Sequence, residues 1–356
     1  MLADTGEIDM TGPPAMVDAT RLGAARELVA RHLVWDNHGC MPLRWADDSF
    51  LPQLARYRAA GVNVASLNVG YGELGIEDTV RMVAAFRHWL KARPDDYVLA
   101  TSVADIHRAR REGKLAVTFD IEGTRAIGDQ ISLIQLYHDL GVRWMLMAYN
   151  RRNLVGDGVH DEDAPVGLTP FGRDVVAEME RVGMVVCCSH TGARTAADVL
   201  AVARKPVIFS HSNPKAVWDH KRNISDDLMR ACADTGGVVG ITGVGAFLGA
   251  NNDVRSETFV RHIDYAVNLI GVDHVGLGLD FVFDREELRR ALVEMRHTFP
   301  DDPAYRTVPD FVAPEQIVEI AALLMARGYA EADIAKILGG NHLRVAEQAW
   351  SGEAAA

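Results

Sequence analysis

The chain alternates between short runs of apolar residues and longer segments in which apolar residues recur at helical spacing. A run that is apolar at nearly every position, such as Val62–Val69, is typical of a strand buried on both faces. Eight such runs are predicted as strands: Val34–Gly39, Val62–Val69, Leu115–Gly123, Trp144–Asn150, Val185–His190, Val207–Ser212, Gly237–Gly243 and His274–Phe281.

The segments between these runs are predicted as helices. Thr169-Pro170 is a typical helix start, and Gly183 a typical helix end. The predicted helices are Leu51–Ala60, Thr79–Ala92, Val103–Glu112, Ser132–Leu140, Phe171–Val182, Thr195–Ala203, Asp226–Thr235, Thr258–Ile270, Pro314–Arg327 and Glu331–Leu338.

Strands that alternate with helices pair in parallel, and eight parallel strands close into a barrel. The sequence therefore predicts an α/β fold, a single-domain (β/α)8 TIM-like barrel over residues 34–350 with extra C-terminal helices. Residues 1–33 are expected to form an N-terminal extension and helix, and residues 351–356 a tail. The alternative is an open, doubly wound sheet, which is less favoured because no Gly-rich phosphate loop follows a strand.

Polar residues stand where the predicted strands end. The carboxyl ends of barrel strands open on one face, where barrel enzymes build their active sites, so these residues are expected to converge. The candidates are Asp36, His38, Cys40, Glu122, Tyr149, Asn150, His190, His211 and Asp280.

Three imidazoles, two or three carboxylates and a thiol are typical ligands of Zn²⁺ or a similar ion. A carboxylate such as Glu122 is suited to bridging two ions, which together activate a water for attack on a carbonyl. Singly, each residue has a structural alternative, since a lone histidine is usually just hydrogen-bonded and Asp36 is suited to capping a turn. The joint placement of His38, His190 and His211 at three strand ends favours the metal centre.

Other polar residues are assigned structural positions. Cys187, Cys188 and Cys232 are expected in the core, and the remaining histidines, including His88, His107 and His297, on the surface. Arg151 and Arg152 are expected to pair with the acidic segment 157–163. Arg222, in the run Lys221–Asn223, is either a solvated surface residue or a clamp for a substrate carboxylate at the open face.

Composition narrows the class of protein. A net charge of −12 over 356 residues disfavours nucleic acid as a partner. No apolar run approaches the roughly 20 residues that span a bilayer, and no secretion signal is recognisable near Met1. Four cysteines are too few for a disulfide framework, which favours a cytoplasmic protein. A homodimer is expected from the general frequency of such assemblies alone.

Several ordered motifs resemble the membrane (renal) dipeptidase family of zinc peptidases, peptidase family M19, between Val34 and Val345. The matching segments are Asp36–His38, Phe119–Gly123, Gly141–Asn153, Gly167–Met179, Val186–His190, Pro206–Ser212, Lys221–Asp226, His274–Phe281 and Gly339–Val345. The resemblance implies an amidohydrolase-like barrel with a binuclear zinc site that hydrolyses dipeptides, including some with a D-residue at the carboxyl end.

The resemblance also implies roles for single residues. His38 would bind one ion, Glu122 would bridge, and a pair formed by His190 and His211 would bind the other. Asp280 would be the acid/base group beside the attacking water. Three residues would contact the substrate: Arg222 at its terminal carboxylate, Tyr149 where renal-type enzymes have a histidine, and Asn150 beside it.

Two positions depart from the family pattern, Tyr149 as just described and Cys40. The first-strand motif His-x-Asp reads His38-Gly39-Cys40 here. A thiolate is a softer ligand that binds zinc at about 2.3 Å, against about 2.0–2.2 Å for a carboxylate. The centre is therefore expected to hold one or two Zn²⁺ ions, with Cys40 either a ligand or a bystander. The alternatives to a dipeptidase are a same-fold hydrolase or tailoring enzyme acting on another amide, and a catalytically silent binding protein.

Overall fold

In the computed structural model, which describes residues 17–161, 163–299 and 305–350, parallel strands close into a barrel. The barrel closes because β1 pairs with β2 on one side and with β9 on the other. This confirms the predicted barrel and rules out the open sheet. The strands are β1 (Trp35–Cys40), β2 (Val64–Tyr71), β3 (Tyr97–Leu99), β4 (Leu115–Glu122), β5 (Val142–Leu146), β6 (Val185–Cys187), β7 (Ile208–Phe209), β8 (Val238–Ile241), β9 (Val275–Leu277) and β10 (Phe281–Val282).

Two short strands were not predicted. β3 pairs with the first residues of β4, and β5 pairs with β4 further along, from Phe119 onwards. β10 continues beyond β9 and pairs with Gly39 and Cys40 at the end of β1. The eight strands of the barrel wall are therefore β1, β2, β4, β5, β6, β7, β8 and β9.

Several predicted strands are too long at their carboxyl ends. Asn150, His190 and Asp280 have φ angles of 55°, 59° and 57°, in the left-handed region that few residues other than glycine adopt. A residue in that region turns the chain out of the strand. Strands β5, β6 and β9 therefore stop before these residues, which lie in the loops of the open face and hold strain that is typical of functional sites.

The helices surround the barrel. Thr169 caps one of them, accepting a hydrogen bond at Oγ1 from the Gly172 N–H at 3.0 Å, and Gly183 ends it with a φ of 91°, as predicted. The helices are α1 (Ala19–Arg31), α2 (Ala55–Ala59), α3 (Ile76–Lys91), α4 (Val103–Arg111), α5 (Leu133–Asp139), α6 (Pro170–Val182), α7 (Ala193–Val202), α8 (Asp226–Asp234), α9 (Gly245–Leu248), α10 (Ser256–Ile270), α11 (Arg285–Glu294), α12 (Ile317–Ala326), α13 (Glu331–Ala335) and α14 (Asn341–Ala349).

The chain ends differ in part from expectation. The extra C-terminal helices are present, but a π-helical turn at Lys336–Gly340 follows α13 and leads into α14, which was not predicted. Helix α11 was also missed. The predicted N-terminal extension includes α1, whereas residues 1–16 and the tail at 351–356 lie outside the described residues.

Buried side chains only partly follow the predictions. Cys187, Cys188 and Cys232 are buried as expected. The expectation that the other histidines lie on the surface is wrong for His262 and His342, and for the His160 side chain as well. Backbone carbonyls make this burial tolerable, since His262 Nε2 donates to Leu248 O at 2.9 Å and His342 Nε2 to Leu277 O at 3.0 Å. Among the described helices, none is long and apolar enough to cross a membrane.

Candidate active site

The carboxyl ends of the barrel strands surround a cavity of about 930 Å³, counting the space at its open mouth. The ends of β1 and β4 and the loops after β5, β6, β7 and β9 contribute polar side chains to its lining, although these residues are up to 240 positions apart. Those among the predicted site residues are Cys40, Glu122, Tyr149, Asn150, His190, Arg222 and Asp280. His38 and His211 lie beneath them, fully buried against Glu122.

Three different donor atoms form a small triangle at one side of the cavity. His38 Nε2 lies 3.5 Å from Cys40 Sγ and 3.6 Å from Asp280 Oδ1. Cys40 Sγ in turn lies 3.3 Å from Asp280 Oδ1. Because β10 pairs with the end of β1, Asp280 is carried to the thiol despite the long separation in sequence.

Glu122 is the centre of a second group. Its Oε1 lies 3.4 Å from His38 Nε2, 3.4 Å from His190 Nε2 and 3.2 Å from His211 Nε2. Neither Glu122 Oε1 nor His211 Nε2 has a hydrogen-bond partner among the described residues. A buried carboxylate oxygen that faces imidazole nitrogens without hydrogen bonds is an arrangement that a cation between them would satisfy.

The spacing of these donors fits metal coordination. The edges of a tetrahedron with metal–ligand bonds of about 2.0–2.3 Å are roughly 3.3–3.8 Å long. The triangle of His38, Cys40 and Asp280 has edges of 3.3 to 3.6 Å, and the contacts around Glu122 Oε1 measure 3.2 to 3.4 Å. These nitrogen, sulfur and oxygen donors suit a zinc-like ion, and a Glu122 shared by both groups suits a bridge.

Each histidine is oriented by a hydrogen bond at its other ring nitrogen. His190 Nδ1 bonds Asn150 Oδ1 at 2.8 Å, and His211 Nδ1 bonds Ser210 Oγ at 2.9 Å. His38 Nδ1 lies 3.3 Å from Asp120 Oδ2. The other carboxylate oxygen of Asp120, Oδ1, accepts a hydrogen bond from Asn68 Nδ2. Such partners hold each Nε2 towards the centre, as the outer neighbours of metal-binding histidines do.

Sequence reasoning missed Asp120 as a site residue. The signal was present, because Asp120 and Glu122 alternate on β4 and therefore face the same side, the barrel interior. A fully buried aspartate within a largely apolar strand is expensive unless it has partners.

Asp36 is not brought together with the donor atoms. Its Oδ1 accepts a hydrogen bond from the Leu279 N–H at 2.8 Å, and its Oδ2 accepts one from the Tyr57 hydroxyl at 2.8 Å. Asp36 thereby fixes the backbone just before Asp280 to the start of β1. This agrees with the alternative that assigned it a turn-capping position.

Burial and neighbouring charges shift the pKa values of the site residues. Burial raises the pKa of Glu122 and of Asp280, while the adjacent His38 acts in the opposite direction. Burial lowers the pKa of His190 and of His211 well below the ordinary value, so both imidazoles are neutral and offer a lone pair. Burial would also lower the pKa of His38, but Cys40 and Asp120 raise it well above its ordinary value.

The cationic side of the cavity is formed by Arg222, which is 2% exposed. Its Nε and Nη2 have no hydrogen-bond partner among the described residues, and its guanidinium lies 5.3 Å from the centre of the Phe247 ring. Arg151 and Arg152, by contrast, pair with Asp161 and Asp157 at 3.8 and 2.7 Å, as predicted.

Tyr149 and Asn150 line the cavity and both contact His190. The Tyr149 ring stacks on His190 with ring centres 4.3 Å apart. Burial raises the pKa of its hydroxyl well above the ordinary value, so the hydroxyl keeps its proton and is able to donate. Asn150 uses Oδ1 to orient His190, while its Nδ2 has no partner among the described residues.

Comparison with known proteins identifies relatives of this chain. The model of the membrane dipeptidase family, peptidase family M19, matches residues 48–289. Dipeptidase aclJ of Aspergillus oryzae is 33% identical over 275 residues, which are 76% of this chain and 60% of the relative. An uncharacterized protein in the pqqA 5′ region of Klebsiella pneumoniae is 31% identical over 267 residues, which are 71% of this chain and 89% of the relative. The chain spans about 60% of the length of the first curated relatives it matches.

Solved structures share the fold. An amidohydrolase from Pseudomonas aeruginosa superposes with a TM-score of 0.83 at 28% identity, covering 92% of this chain and 99% of that one. A metallo peptidase from Rhodobacter sphaeroides, liganded with a phosphinate mimic of the dipeptide L-Ala-D-Ala, gives a TM-score of 0.73 at 20% identity. The match covers 90% of this chain and 99% of that one. At that identity the second likeness shows the fold alone.

Proposed function

Because the chain belongs to the membrane dipeptidase family, peptidase family M19, we propose that it is a zinc-dependent hydrolase that cleaves dipeptides, including those with a D-residue at the carboxyl end. The observation that carries this proposal is the position of Glu122 Oε1, within 3.4 Å of three imidazole nitrogens and without a hydrogen bond of its own. Two donor groups that meet at one carboxylate support a site for two ions.

The residues divide between two metal positions. One would be held by His38 and Cys40, with Asp280 beside them, and the other by His190 and His211, with Glu122 contributing to both. When bound, zinc polarises a carbonyl and lowers the pKa of a water molecule to near neutrality. The neutral state of His190 and His211 supports their role as metal ligands, because a neutral imidazole offers a lone pair.

The protein's own side chains would position the substrate and move its proton. Arg222, buried and lacking hydrogen bonds at two nitrogens, would bind the terminal carboxylate in a bidentate fork. The protonated Tyr149 hydroxyl would donate to the carbonyl oxygen as negative charge develops on it. Asp280, beside the scissile carbonyl, would accept a proton from the attacking water and return it to the leaving amine. Asn150 Nδ2 remains a predicted substrate contact.

The decisive experiment is turnover by the zinc-loaded protein on a panel of L,L- and L,D-dipeptides, with the amidated dipeptides as matched controls. We expect hydrolysis of free dipeptides and little hydrolysis of the amides, because the amides lack the carboxylate that Arg222 would bind. Absence of hydrolysis across the whole panel would overturn the proposal.

A second candidate is a same-fold hydrolase that acts on another amide, as a tailoring enzyme does. The observation that favours it is Cys40, which places a thiol in the donor triangle with His38 and Asp280. The variant Cys40→Asp discriminates between the two. If it acquires dipeptidase activity that the native protein lacks, the native centre is adapted to a different substrate. The homodimer and the cytoplasmic location stay predictions.

A further inference from the structure

Arg222, over the Phe247 ring, lines one side of the cavity, and a group of aliphatic and thioether side chains lines another. Arg222 belongs to the loop after β7, whereas Met41 and Leu43 follow β1. Helix α11 adds Leu288 and Leu292 to the apolar side. These four residues, which we call the apolar subsite, are carried by the segment after β1 and by α11, and not by the loop after β7 that carries Arg222.

Barrel topology places this subsite across the cavity from Arg222. In the order β1, β2, β4, β5, β6, β7, β8, β9, the strand opposite β7 is β2. Helix α11 runs along the β1 and β2 side: near its start Glu287 Oε1 accepts from the Leu43 N–H at 2.8 Å, and just after its end His297 Nε2 lies 3.4 Å from Glu73 Oε1 in the loop after β2.

The charged residues beside the apolar subsite are already paired. Asp284 accepts the Glu286 and Glu287 N–H groups through Oδ1, and Arg44 Nη1 through Oδ2 at 3.0 Å. Glu287 accepts the Leu43 N–H through Oε1 and Arg44 Nη1 through Oε2 at 2.6 Å. All four carboxylate oxygens therefore already accept hydrogen bonds within the protein, so neither carboxylate is free to accept one from a polar substrate side chain.

A dipeptide bound in this cavity has only one orientation that uses both sides. With its carboxylate on Arg222 and its scissile carbonyl at Glu122, the chain of the amino-terminal residue continues away from Arg222, since each residue advances by about 3.3–3.6 Å. We therefore propose that the apolar subsite of Met41, Leu43, Leu288 and Leu292 receives the side chain of the amino-terminal residue and selects dipeptides in which that residue is large and apolar. This inference rests on the proposed dipeptidase function and names its substrate class.

The test compares kcat/KM of the zinc-loaded protein for Leu-Ala, Phe-Ala, Ala-Ala, Asp-Ala and Lys-Ala, together with the reversed peptide Ala-Leu. Burial of several additional methylene groups predicts that Leu-Ala exceeds Ala-Ala by roughly tenfold or more. Ala-Leu should have no such advantage over Ala-Ala in kcat/KM, because its large side chain lies on the other side of the scissile bond. Equal values for Leu-Ala and Ala-Ala, or a preference for Asp-Ala or Lys-Ala, would overturn the subsite.

Variants on α11 test whether the apolar subsite causes this substrate preference. Leu292→Ala should reduce the ratio of kcat/KM for Leu-Ala over Ala-Ala by roughly fivefold to tenfold, mainly through KM. Val293→Ala is the matched control, because Val293 lies on the same helix but is 67% exposed. A ratio that is unchanged in Leu292→Ala, or reduced equally in Val293→Ala, contradicts the assignment.

A binding measurement separates this inference from the proposed function. Phosphinate mimics of Leu-Ala and Ala-Ala are compared by calorimetry on the zinc-loaded protein, which requires no turnover. Tighter binding of the Leu-Ala mimic, lost in Leu292→Ala, supports the subsite even if no dipeptide is hydrolysed. Equal affinity of the two mimics refutes the subsite even if dipeptides are hydrolysed.

Discussion

Glu122 Oε1 and His211 Nε2 lie 3.2 Å apart at the base of the cavity, and neither atom has a hydrogen-bond partner among the described residues. Ser210 Oγ bonds the other ring nitrogen of His211 at 2.9 Å, and burial keeps this imidazole neutral. If His211 Nδ1 donates to Ser210, a lone pair on nitrogen faces a carboxylate oxygen. A cation between the two atoms would turn this unfavourable pair into two ligands.

Replacing Glu122 with glutamine should separate metal binding from folding. In Glu122→Gln the side-chain amide is able to donate to His211, so the metal-free variant should unfold at a Tm no lower than that of the metal-free wild type. Zinc at a hundred times its Kd should stabilise the wild type by about 2.7 kcal/mol and the variant far less. Thermal unfolding with and without zinc measures both effects. Equal zinc stabilisation in the two proteins would contradict the role of Glu122.

Cys40 is predicted to be a thiolate ligand of the first metal position. Burial raises the pKa of its thiol, and a coordinated metal ion is what would remove the proton. Cys40→Ala should reduce the zinc content from two ions to one, measured by elemental analysis. In the cobalt-substituted protein it should also abolish the near-ultraviolet sulfur-to-metal absorption.

The control for this prediction is Cys40→Asp, which supplies an oxygen ligand in place of sulfur. It should retain two ions but lack the sulfur-to-metal absorption. One ion in the native protein and in Cys40→Ala alike would make Cys40 a bystander.

The Tyr149 hydroxyl should act on the transition state rather than on binding. Tyr149→Phe keeps the ring that stacks on His190 at 4.3 Å and removes only the hydrogen-bond donor. We expect kcat to fall by roughly 10²-fold, with KM changed little. Steady-state kinetics on the best dipeptide checks this. A rise in KM at unchanged kcat would assign the hydroxyl to substrate binding instead.

Arg222 should account for recognition of the free carboxylate. Arg222→Met removes a charge-assisted contact worth about 1.5–3 kcal/mol, so kcat/KM for dipeptides should fall by roughly 10- to 150-fold. The loss should be small for dipeptide amides, which are poor substrates in either protein. The exposed neighbour Lys221→Met is the matched control and should leave the ratio of acid to amide as in the wild type. An equal loss on acid and amide would point to a structural role.

The sequence predicts the barrel well because its strands are continuous apolar runs, and it predicts His38, Glu122, His190 and His211 because polar residues at strand ends are conspicuous. Asp36 shows the limit of this reasoning. It stands in the same strand as His38, yet its partners, Tyr57 and the Leu279 N–H, are distant in sequence. Only the closed barrel reveals that Asp36 supports the backbone and does not join the donor atoms.

The wall of the cavity could not be predicted from the local pattern. Helix α11 has charged residues on most of its surface, and only Leu288, Ala291 and Leu292 indicate an apolar contact. Its position depends on Arg44, whose Nη1 contacts both Asp284 and Glu287 about 240 residues away. Pairings at this distance leave no periodic signal in the sequence, so the substrate-facing helix emerges only in the fold.

His342 should make stability depend on pH far from the active site. Helix α14 places it beneath β9, where its Nε2 donates to Leu277 O at 3.0 Å, and burial lowers its pKa from 6.5 to about 4. Above pH 6.5 the imidazole is neutral in both the folded and the unfolded chain. As the pH falls from 6.5 to about 4 only the unfolded chain takes up the proton, so the free energy of unfolding decreases, by about 2 kcal/mol at pH 5.

The variant His342→Gln isolates this contribution, since its amide keeps a donor but does not titrate. The difference in unfolding free energy between wild type and variant, from urea denaturation, should shrink by about 2 kcal/mol between pH 7.5 and pH 5. His88→Gln, at an exposed position on α3, controls for replacement of a histidine as such and should follow the wild type at both pH values. If the difference between wild type and His342→Gln is the same at both pH values, proton uptake by His342 does not distinguish the folded from the unfolded chain, and its burial does not contribute to acid sensitivity.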